Sequence, residues 1–348
     1  MAVTLAHSEL LDQRAYNMDD FLRNAGWSAA ARDPLQADAS FRRYIRLTMN
    51  GMSSMLMDAP PKTEDVRPFV KVARHLTGLG FSAPSIYAQD IDQGFLLLED
   101  FGNSTFTQLL NQGMSEDVLY ETAIDALIAL HNNKCNADVD LPLYDESPLM
   151  EEVDLFFDWY LPELSGAQKH SANRDEFRDA WKQVLSYLPK MEPTIVLRDF
   201  HVDNLMLLPN QVSPKNCGLL DFQDALIGSP AYDVASLLED ARRDISEVFR
   251  QKMLTRYFGG RSGINLADFE SSYRILSAQR HMKIIGIFTR LYRRDGKAHY
   301  LRHMTRVMTY LQQHLTHPEL APVRNWLEAH VPEYATLPTT LMHAMEQN

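Results

Sequence analysis

The sequence predicts an α+β fold in which a small, β-rich lobe precedes a larger and mostly helical lobe. Three patterns indicate this division. Short runs of β-type residues fill much of the first hundred positions, apolar residues recur at helical spacing through most of the rest, and only two short apolar strands interrupt those helices. We therefore predict an N-lobe over residues 1–100 and a C-lobe over 101–348, with a connector near 98–103.

Composition excludes several classes of protein. The 348 residues are 45% hydrophobic and 23% charged, which is typical of a folded globular chain of about two lobes. A net charge of −12 lacks the positive surplus of a nucleic-acid binder. Two cysteines provide no disulfide scaffold, and the sequence shows no signal peptide or membrane span. We expect a cytoplasmic protein that binds small molecules, with no nucleic acid, membrane or obligate protein partner.

The predicted N-lobe is an antiparallel sheet with helices beside it. Asn50-Gly51 separates two β-type runs, which is a strong signal of a hairpin. Gly26 and Gly80 each follow a helical pattern, at the position where glycine commonly ends a helix. The predicted elements are a helix over 8–25, strands over 41–47 and 53–57, a helix over 64–79, and strands over 82–90 and 94–102.

The predicted C-lobe is helical except around two short strands. One predicted helix begins after Ser115, and the others cover 149–163, 173–188, 231–257, 266–290 and 297–315. The stretches TIVLRDFHVDNLMLL (194–208) and NCGLLDFQDALIGSPAYD (216–233) each contain an apolar strand that runs directly into polar residues. Sites are commonly built where buried strands end in this way.

Polar residues in these two stretches have the spacing of a kinase site. Asp199 and Asn204 are five residues apart, and Asp221 follows 17 residues later, after the second strand. In kinases one Asp accepts the proton of the acceptor hydroxyl, while an Asn and a second Asp hold Mg²⁺ against the ATP phosphates. Asp and Asn are also common turn residues. Two such turns after a β-rich lobe, with Arg198 directly before Asp199, favour the catalytic interpretation.

Longer stretches resemble a known family. They are DASFRRYIRL (38–47), MDAPPKTEDVRPFVKVARHL (57–76), GFLLLEDFG (94–102), GLLDFQDALIGSPAYDVASLLEDARRD (218–244) and QRHMKIIGIFTRLYRRDGKAHYL (279–301). Together they resemble the aminoglycoside phosphotransferase and choline kinase superfamily. Within it they are most similar to bacterial kinases that phosphorylate N-acetylmuramate and N-acetylglucosamine at the anomeric hydroxyl.

The resemblance implies a protein-kinase-like, two-lobed fold that uses ATP and Mg²⁺. It makes Asp199 the catalytic base, with Arg198 beside it in the catalytic loop. It makes Asn204 and Asp221 the Mg²⁺ ligands. Asp233 takes a structural role, in which it holds the catalytic loop from below.

The resemblance also implies that ATP binds in the cleft between the two lobes, with contacts from the N-lobe and the connector. The connector binds adenine through its backbone, and its residues are Leu98, Glu99, Asp100 and Phe101. The hairpin that contains Ser40 stands where kinases have their phosphate-covering loop. Met57 occupies the position of the usual lysine, so another cation must meet the phosphates. Arg43 is the first candidate and Arg42 the second, and by strand alternation only one of them faces the cleft. Lys62, Arg67 and Lys71 are further options.

The resemblance places the acceptor sugar in the C-lobe near Asp199. Gln223 and Asp224 follow the metal-binding turn, and Arg242 suits the lactyl carboxylate of N-acetylmuramate because arginine binds carboxylates bidentately. For Arg242 and its neighbour Arg243, a solvated helix end is the alternative interpretation.

The expected activity is ATP-dependent formation of a sugar 1-phosphate in peptidoglycan recycling. One alternative is a kinase of another small alcohol, namely choline, homoserine or an aminoglycoside. A second alternative is a non-catalytic, nucleotide-sensing pseudokinase, which the missing lysine suggests and the intact Asp199, Asn204 and Asp221 argue against.

Overall fold

The computed structural model describes residues 2–35, 41–164 and 173–346. The chain divides into two compact units. The first unit contains Met1–Gln112 and Leu205–Asp224, and the second contains Gly113–Asn204 and Ala225–Asn348. The first unit thus extends past residue 100 and also includes Leu205–Asp224. The lobe boundary at residue 100 remains a prediction.

Most strands belong to the first unit. In chain order the strands are β1 (Ala31–Pro34), β2 (Arg43–Met49), β3 (Met52–Asp58), β4 (Ile86–Asp90), β5 (Phe95–Glu99), β6 (Thr194–Val196), β7 (Leu205–Leu207), β8 (Cys217–Leu219) and β9 (Leu226–Gly228). β1 to β5 form an antiparallel sheet in the order β1-β2-β3-β5-β4. Asn50 and Gly51 have φ angles of 52° and 77°, as a tight β2–β3 hairpin requires, so the predicted hairpin is confirmed.

One helix of the first unit precedes this sheet in sequence, and another lies between β3 and β4. The helices in chain order are α1 (Ala2–Asn24), α2 (Arg67–Gly78), α3 (Phe106–Asn111), α4 (Glu116–Asn132), α5 (Glu146–Leu155), α6 (Arg174–Leu185), α7 (Ala231–Leu238), α8 (Glu247–Gly260), α9 (Leu266–Asp295), α10 (Met304–Leu315), α11 (Ala321–His330) and α12 (Thr339–Glu346). Phe21 and Leu22 of α1 form a core cluster with sheet residues that include Leu56 and Phe95. α2 begins at Arg67, so Glu64 lies in the preceding loop instead of in the predicted helix over 64–79.

The second unit is helical apart from a short antiparallel pair, in which β6 pairs with β9. The predicted helix over 231–257 is wrong in its middle, because residues 239–246 separate α7 from α8. Asp240 accepts a hydrogen bond from the Arg242 backbone amide at 3.0 Å, and Ser246 caps α8 by accepting one from Phe249 at 3.1 Å. These side chains compete with helical hydrogen bonding and account for the break.

Two further predicted helices are interrupted. Residues 149–163 divide into the end of α5, a π-helical turn over Phe156–Tyr160 and a 3₁₀ turn over Leu161–Glu163. Residues 297–315 begin with a 3₁₀ helix over Ala298–His303. No helix within the described part of the chain has both the length and the apolar character needed to cross a membrane.

α9 is the central helix of the second unit, and it approaches the α5 backbone at Gly286. A Cβ atom at this position would lie 2.3 Å from the Leu155 carbonyl carbon and 2.6 Å from the Phe156 nitrogen. Backbone atoms cannot retreat as the end of a flexible side chain can. Glycine is therefore required where α9 crosses the start of the π-helical turn.

We expect Gly286→Ala to lower the free energy of unfolding by about 3 kcal/mol, because the added methyl group forces two backbones apart. Gly259→Ala in α8 is the matched control. A Cβ atom there meets nothing within 4 Å, so helix propensity should leave stability unchanged or slightly higher. Urea denaturation of both variants measures the difference, and equal unfolding midpoints would contradict the close approach.

Candidate active site

The predicted catalytic loop follows β6 and is held by a buried carboxylate of α7. Asp233 accepts hydrogen bonds from the backbone amides of Leu197 at 2.7 Å and Arg198 at 2.9 Å. The Ser236 hydroxyl donates to the Arg198 carbonyl oxygen at 3.1 Å. Both backbone polar groups of Arg198 are thus bound directly before Asp199, which restricts the conformation of the loop at that point.

Backbone strain marks both stretches that the sequence singled out. Arg198 has a φ of 67° and Asp221 a φ of 56°, values that residues with a Cβ atom rarely adopt. Such a conformation costs on the order of 1–3 kcal/mol and persists only where the surroundings enforce it. At Arg198, the hydrogen bonds from the backbone amides to Asp233 help to hold this conformation. Burial raises the pKa of Asp233 to about 7, while its two amide donors favour the charged form.

The Arg198 side chain belongs to a buried network centred on Glu152. The two charges pair at 2.5 Å, and Lys283 reaches the same Glu152 oxygen at 2.8 Å. Burial alone would raise the pKa of Glu152, but Lys283 and Arg198 lower it to about 2. Tyr144 and Gln279 donate to the other carboxylate oxygen, at 2.5 and 2.9 Å. Glu152 is therefore an ionised carboxylate that accepts hydrogen bonds from Arg198, Lys283, Tyr144 and Gln279.

Positive charges surround Asp199 within the second unit. Burial would lower the pKa of Arg242, but Asp240, Asp203 and Asp199 raise it overall. Burial would likewise lower the pKa of Lys283, but Tyr232, Glu152 and Asp199 raise it overall. Arg242 contacts Asp203 at 3.0 Å, whereas Arg243 pairs with Glu116. The charge of Asp199 thus helps to stabilise both cations, and a carboxylate is a group that can accept a proton from a nearby hydroxyl.

Asn204 closes the same loop. Its Nδ2 donates to the Asp199 carbonyl oxygen at 3.0 Å and lies 3.3 Å from His201 Nε2. Burial lowers the pKa of His201 far below its usual value, so this ring is neutral. With the amide nitrogen directed to the loop, Oδ1 is the Asn204 atom with the chemistry of a metal ligand.

Asp221 lies after the β7–β8 hairpin of the first unit. Its Oδ1 accepts a hydrogen bond from Gln223 Nε2 at 2.8 Å, and Asp224 lies 3.4 Å from the same nitrogen. Phe222 is buried and stacks on Phe69 of α2, with ring centroids 5.0 Å apart. The aromatic contact anchors the strained turn, and Gln223 orients the carboxylate.

The two candidate arginines of the N-terminal sheet have different partners. Arg42 pairs with Glu64 at 3.0 Å, and both side chains are less than 15% exposed. Burial would lower the pKa of Arg42, but nearby groups that include Glu64 and Asp221 raise it. Arg43 is half-exposed and pairs with buried Asp58. Within the first unit, the negative charge of Asp221 thus favours the charged form of Arg42, whereas the partner of Arg43 is Asp58.

The connector residues carry contacts of their own. Leu98 is buried in β5, where it pairs with Met55. The Glu99 amide donates to the Ser85 carbonyl at 2.8 Å, so adenine would have to use other connector groups. Asp100 forms an ion pair with Arg46 at 2.7 Å, and the Phe101 ring lies against the Gly218 backbone. Ser40 lies outside the described residues.

Our sequence analysis missed four residues that shape the loop: Glu152, His201, Gln279 and Lys283. A signal was present for two of them. Gln279 and Lys283 are four residues apart in α9, a spacing that puts both on one face of the helix. Polar residues on a buried face need partners. The identity of that partner, Glu152, could not be obtained from spacing because it lies 131 positions from Lys283.

Comparison with known proteins gives concordant results. The model of the phosphotransferase enzyme family matches residues 32–267. The N-acetylmuramate/N-acetylglucosamine kinase of Pseudomonas aeruginosa is 42% identical over 299 residues, which cover 83% of this chain and 85% of that protein. The kinase of that name from Caulobacter vibrioides is 32% identical over 346 residues, covering 90% of this chain and 95% of its own.

A solved structure supports the fold. The choline/ethanolamine kinase family protein from Mesorhizobium loti superimposes with a TM-score of 0.60 at 14% identity, covering 90% of this chain and 99% of that one. At such low identity the likeness concerns the fold alone. The predicted α+β fold of the protein-kinase-like class is confirmed.

We expect Glu152→Gln to lower the free energy of unfolding by about 3 kcal/mol at neutral pH, because Arg198 and Lys283 lose their buried counter-charge. The wild-type pKa of about 2 lies below the usual 4.5, so this stabilisation is present above pH 4.5 and is lost as the pH falls towards 2. Urea denaturation at pH 7 and pH 3 should show a smaller gap between wild type and variant at pH 3.

Exposed Glu151 provides the matched control, since Glu151→Gln removes the same charge one residue away. That variant should unfold like the wild type at both pH values. Equal stability of the two variants at pH 7 would contradict the network around Glu152.

Proposed function

This chain belongs to the phosphotransferase enzyme family, and from that premise we propose that it is an ATP-dependent sugar kinase. The acceptor would be the anomeric hydroxyl of N-acetylmuramate or N-acetylglucosamine, and the product a sugar 1-phosphate for peptidoglycan recycling in the cytoplasm. The observation that carries this proposal is the 42% identity to a kinase named for those two sugars, over more than four-fifths of both chains. In the proposed enzyme, residues 1–100 form the nucleotide-covering lobe and residues 101–348 form the catalytic lobe.

Asp199 is the proposed catalytic base. It would accept the proton of the anomeric hydroxyl while that oxygen bonds to the γ-phosphorus of ATP and the bond from this phosphorus to the β–γ bridging oxygen breaks, which releases ADP. The hydrogen bonds from Leu197 and Arg198 to Asp233 support a fixed position for this base. A base held in place before the reaction avoids part of the entropic cost of orientation.

The donor atoms of Asn204 and Asp221 fit Mg²⁺, which prefers carboxylate and amide oxygens. The amide nitrogen of Asn204 is committed to the Asp199 carbonyl, and this leaves Oδ1 as the atom of ligand character. Mg²⁺, when bound there, would neutralise charge on the ATP phosphates. Gln223 would support the site by holding the Asp221 carboxylate.

Arg42 is the proposed substitute for the lysine that Met57 displaces. Met57 is fully buried and has no charge to offer. Arg42 combines a buried carboxylate partner, Glu64, with electrostatic contact to Asp221, and this combination parallels the Lys–Glu pair of other kinases. A guanidinium group can bridge two phosphate oxygens through parallel hydrogen bonds.

Gln223, Asp224 and Arg242 remain the proposed sugar contacts. Arg242 shares the electrostatic environment of Asp199, which supports a place near the acceptor. Its partner Asp203 is partly exposed, so a sugar carboxylate could replace Asp203 at modest cost.

We expect phosphorus NMR of the protein with MgATP and N-acetylglucosamine to show a new phosphate ester coupled to the anomeric proton. Asp199→Asn should lower the rate at least about 100-fold, since an amide cannot accept the proton. Retained ADP binding by this variant would show that its fold is intact.

Two outcomes would contradict the proposal. An ester at another sugar oxygen would overturn the anomeric assignment. No ester and no ADP from either sugar would exclude both as acceptors and would redirect the search to other alcohols or to nucleotide sensing without turnover.

We expect Arg42→Ala to raise the KM for MgATP by about 10-fold or more, because a charged hydrogen bond to phosphate is lost. Arg43→Ala removes the same side chain from the adjacent position. Asp58 retains its pairing with Arg14 in that variant, so the KM should change less than about twofold. Steady-state kinetics at saturating sugar tests both. A larger effect at Arg43 would reverse the assignment.

A further inference from the structure

A buried cluster in the second unit shares no residue with the proposed phosphoryl-transfer machinery. Glu239 follows the last residue of α7, His281 lies in the middle of α9, and His314 lies in the last turn of α10. We propose that these three side chains form a binding site for one divalent transition-metal ion of the Zn²⁺ class. This site goes beyond the kinase activity and does not depend on it.

The ligand atoms are close enough to share an ion. Glu239 Oε2 lies 3.5 Å from His281 Nε2 and 2.8 Å from His314 Nε2, and the three ligand atoms all lie within 4.8 Å of one another. Around tetrahedral Zn²⁺, with bonds of about 2.1 Å, neighbouring ligand atoms are about 3.4 Å apart. The His281 spacing matches that value. His314 Nε2 and Glu239 Oε2 form a hydrogen bond at 2.8 Å, so metal binding must release its hydrogen and lengthen the spacing by about half an ångström.

The protonation of His281 provides an independent indication of a cation. Its Nδ1 lies 2.6 Å from the Ser277 carbonyl oxygen, which can only accept, so Nδ1 carries the hydrogen. Nε2 then presents a lone pair to Glu239 Oε2, which is also an acceptor. His281 is fully buried, and Nε2 has no hydrogen-bond partner among the residues that the structure describes.

Two acceptors that face each other in a buried position repel, and a cation between them removes the repulsion. With its hydrogen on Nδ1, the His281 ring has Nε2 available as a metal ligand. The orientation of the ring follows a common pattern, in which a metal-binding histidine donates its other N–H to a backbone carbonyl.

The surroundings of Glu239 prepare one of its oxygens for this role. Oε1 accepts hydrogen bonds from Arg250 at 2.8 Å and the Tyr273 hydroxyl at 3.0 Å. Oε2 is directed at the two histidines. A carboxylate held by such outer partners is typical of metal sites. Glu247 pairs with Arg250 and offsets part of the positive charge next to the site.

The chemistry of the ligands selects the metal. Two imidazoles and one carboxylate suit Zn²⁺ and similar ions, whereas Mg²⁺ prefers oxygen ligands alone. A cavity of about 270 Å³ borders Glu239 and His314, and it can provide both an entry route and room for a water molecule as fourth ligand.

The test titrates metal-stripped, full-length protein with Co²⁺ and Zn²⁺ in excess Mg²⁺, which saturates oxygen-only sites such as the proposed ATP-metal site. Optical spectra of the Co²⁺ form report coordination geometry, and calorimetry gives Zn²⁺ stoichiometry and affinity. We expect one ion per chain, the strong visible absorption of tetrahedral Co²⁺, and a higher melting temperature with Zn²⁺.

Variants then assign the ligands. His281→Gln and His314→Gln should each weaken Zn²⁺ binding about 100-fold or more. His317→Ala is the matched control, because His317 borders the same cavity without belonging to the cluster, and its affinity should stay within about threefold of the wild-type value.

The wild-type spectrum keeps the proposal falsifiable even if a histidine variant fails to fold. A wild-type protein that binds no Co²⁺ with tetrahedral absorption overturns the site. Binding that persists unchanged in folded His281→Gln and His314→Gln also overturns it. Sugar phosphorylation is measured separately, and its absence would leave the metal result unaffected.

Discussion

The buried carboxylate of Asp233 is the contact on which the loop after β6 depends. It binds two consecutive backbone amides at the point where the chain leaves β6, and it thereby supports the positive φ of Arg198. An amide in its place would present only one acceptor to two donors. Because Asp233 lies in the first turn of α7, the position of that helix and the conformation before Asp199 are set together.

The charges of the loop are balanced locally, whatever the net charge of the chain. The protein as a whole carries −12, yet Asp199 lies in the field of Lys283 and Arg242. Glu152 pairs with the buried cations Arg198 and Lys283, so neither charge is left unpaired in a medium of low dielectric constant. Because two cations share one carboxylate, the group as a whole remains positive. Local positive charge of this kind offsets at short range the repulsion between a protein of negative net charge and an anion such as a phosphate group.

Two arginines that are adjacent in sequence have different partners in the first unit. Arg42, directly before β2, pairs with Glu64 in the loop before α2, whereas Arg43, the first residue of β2, pairs with buried Asp58. Adjacent side chains of an extended chain point to opposite sides, so the sequence predicts two different environments for them without identifying either. Only the folded structure shows that Glu64 is the partner of Arg42 and Asp58 the partner of Arg43.

Local patterns in the sequence determined the fold class, the Asn50-Gly51 hairpin, most helices and the spacing of Asp199, Asn204 and Asp221, because turn chemistry and apolar periodicity act over a few residues. Tertiary structure alone decided the partner of Arg42 and the convergence of Glu152, Gln279 and Lys283. It also brought Glu239, directly after α7, together with His281 of α9 and His314 of α10. A polar residue on an apolar helix face indicates that a buried partner is needed, but it does not identify that partner. Which distant groups meet depends on how whole helices pack.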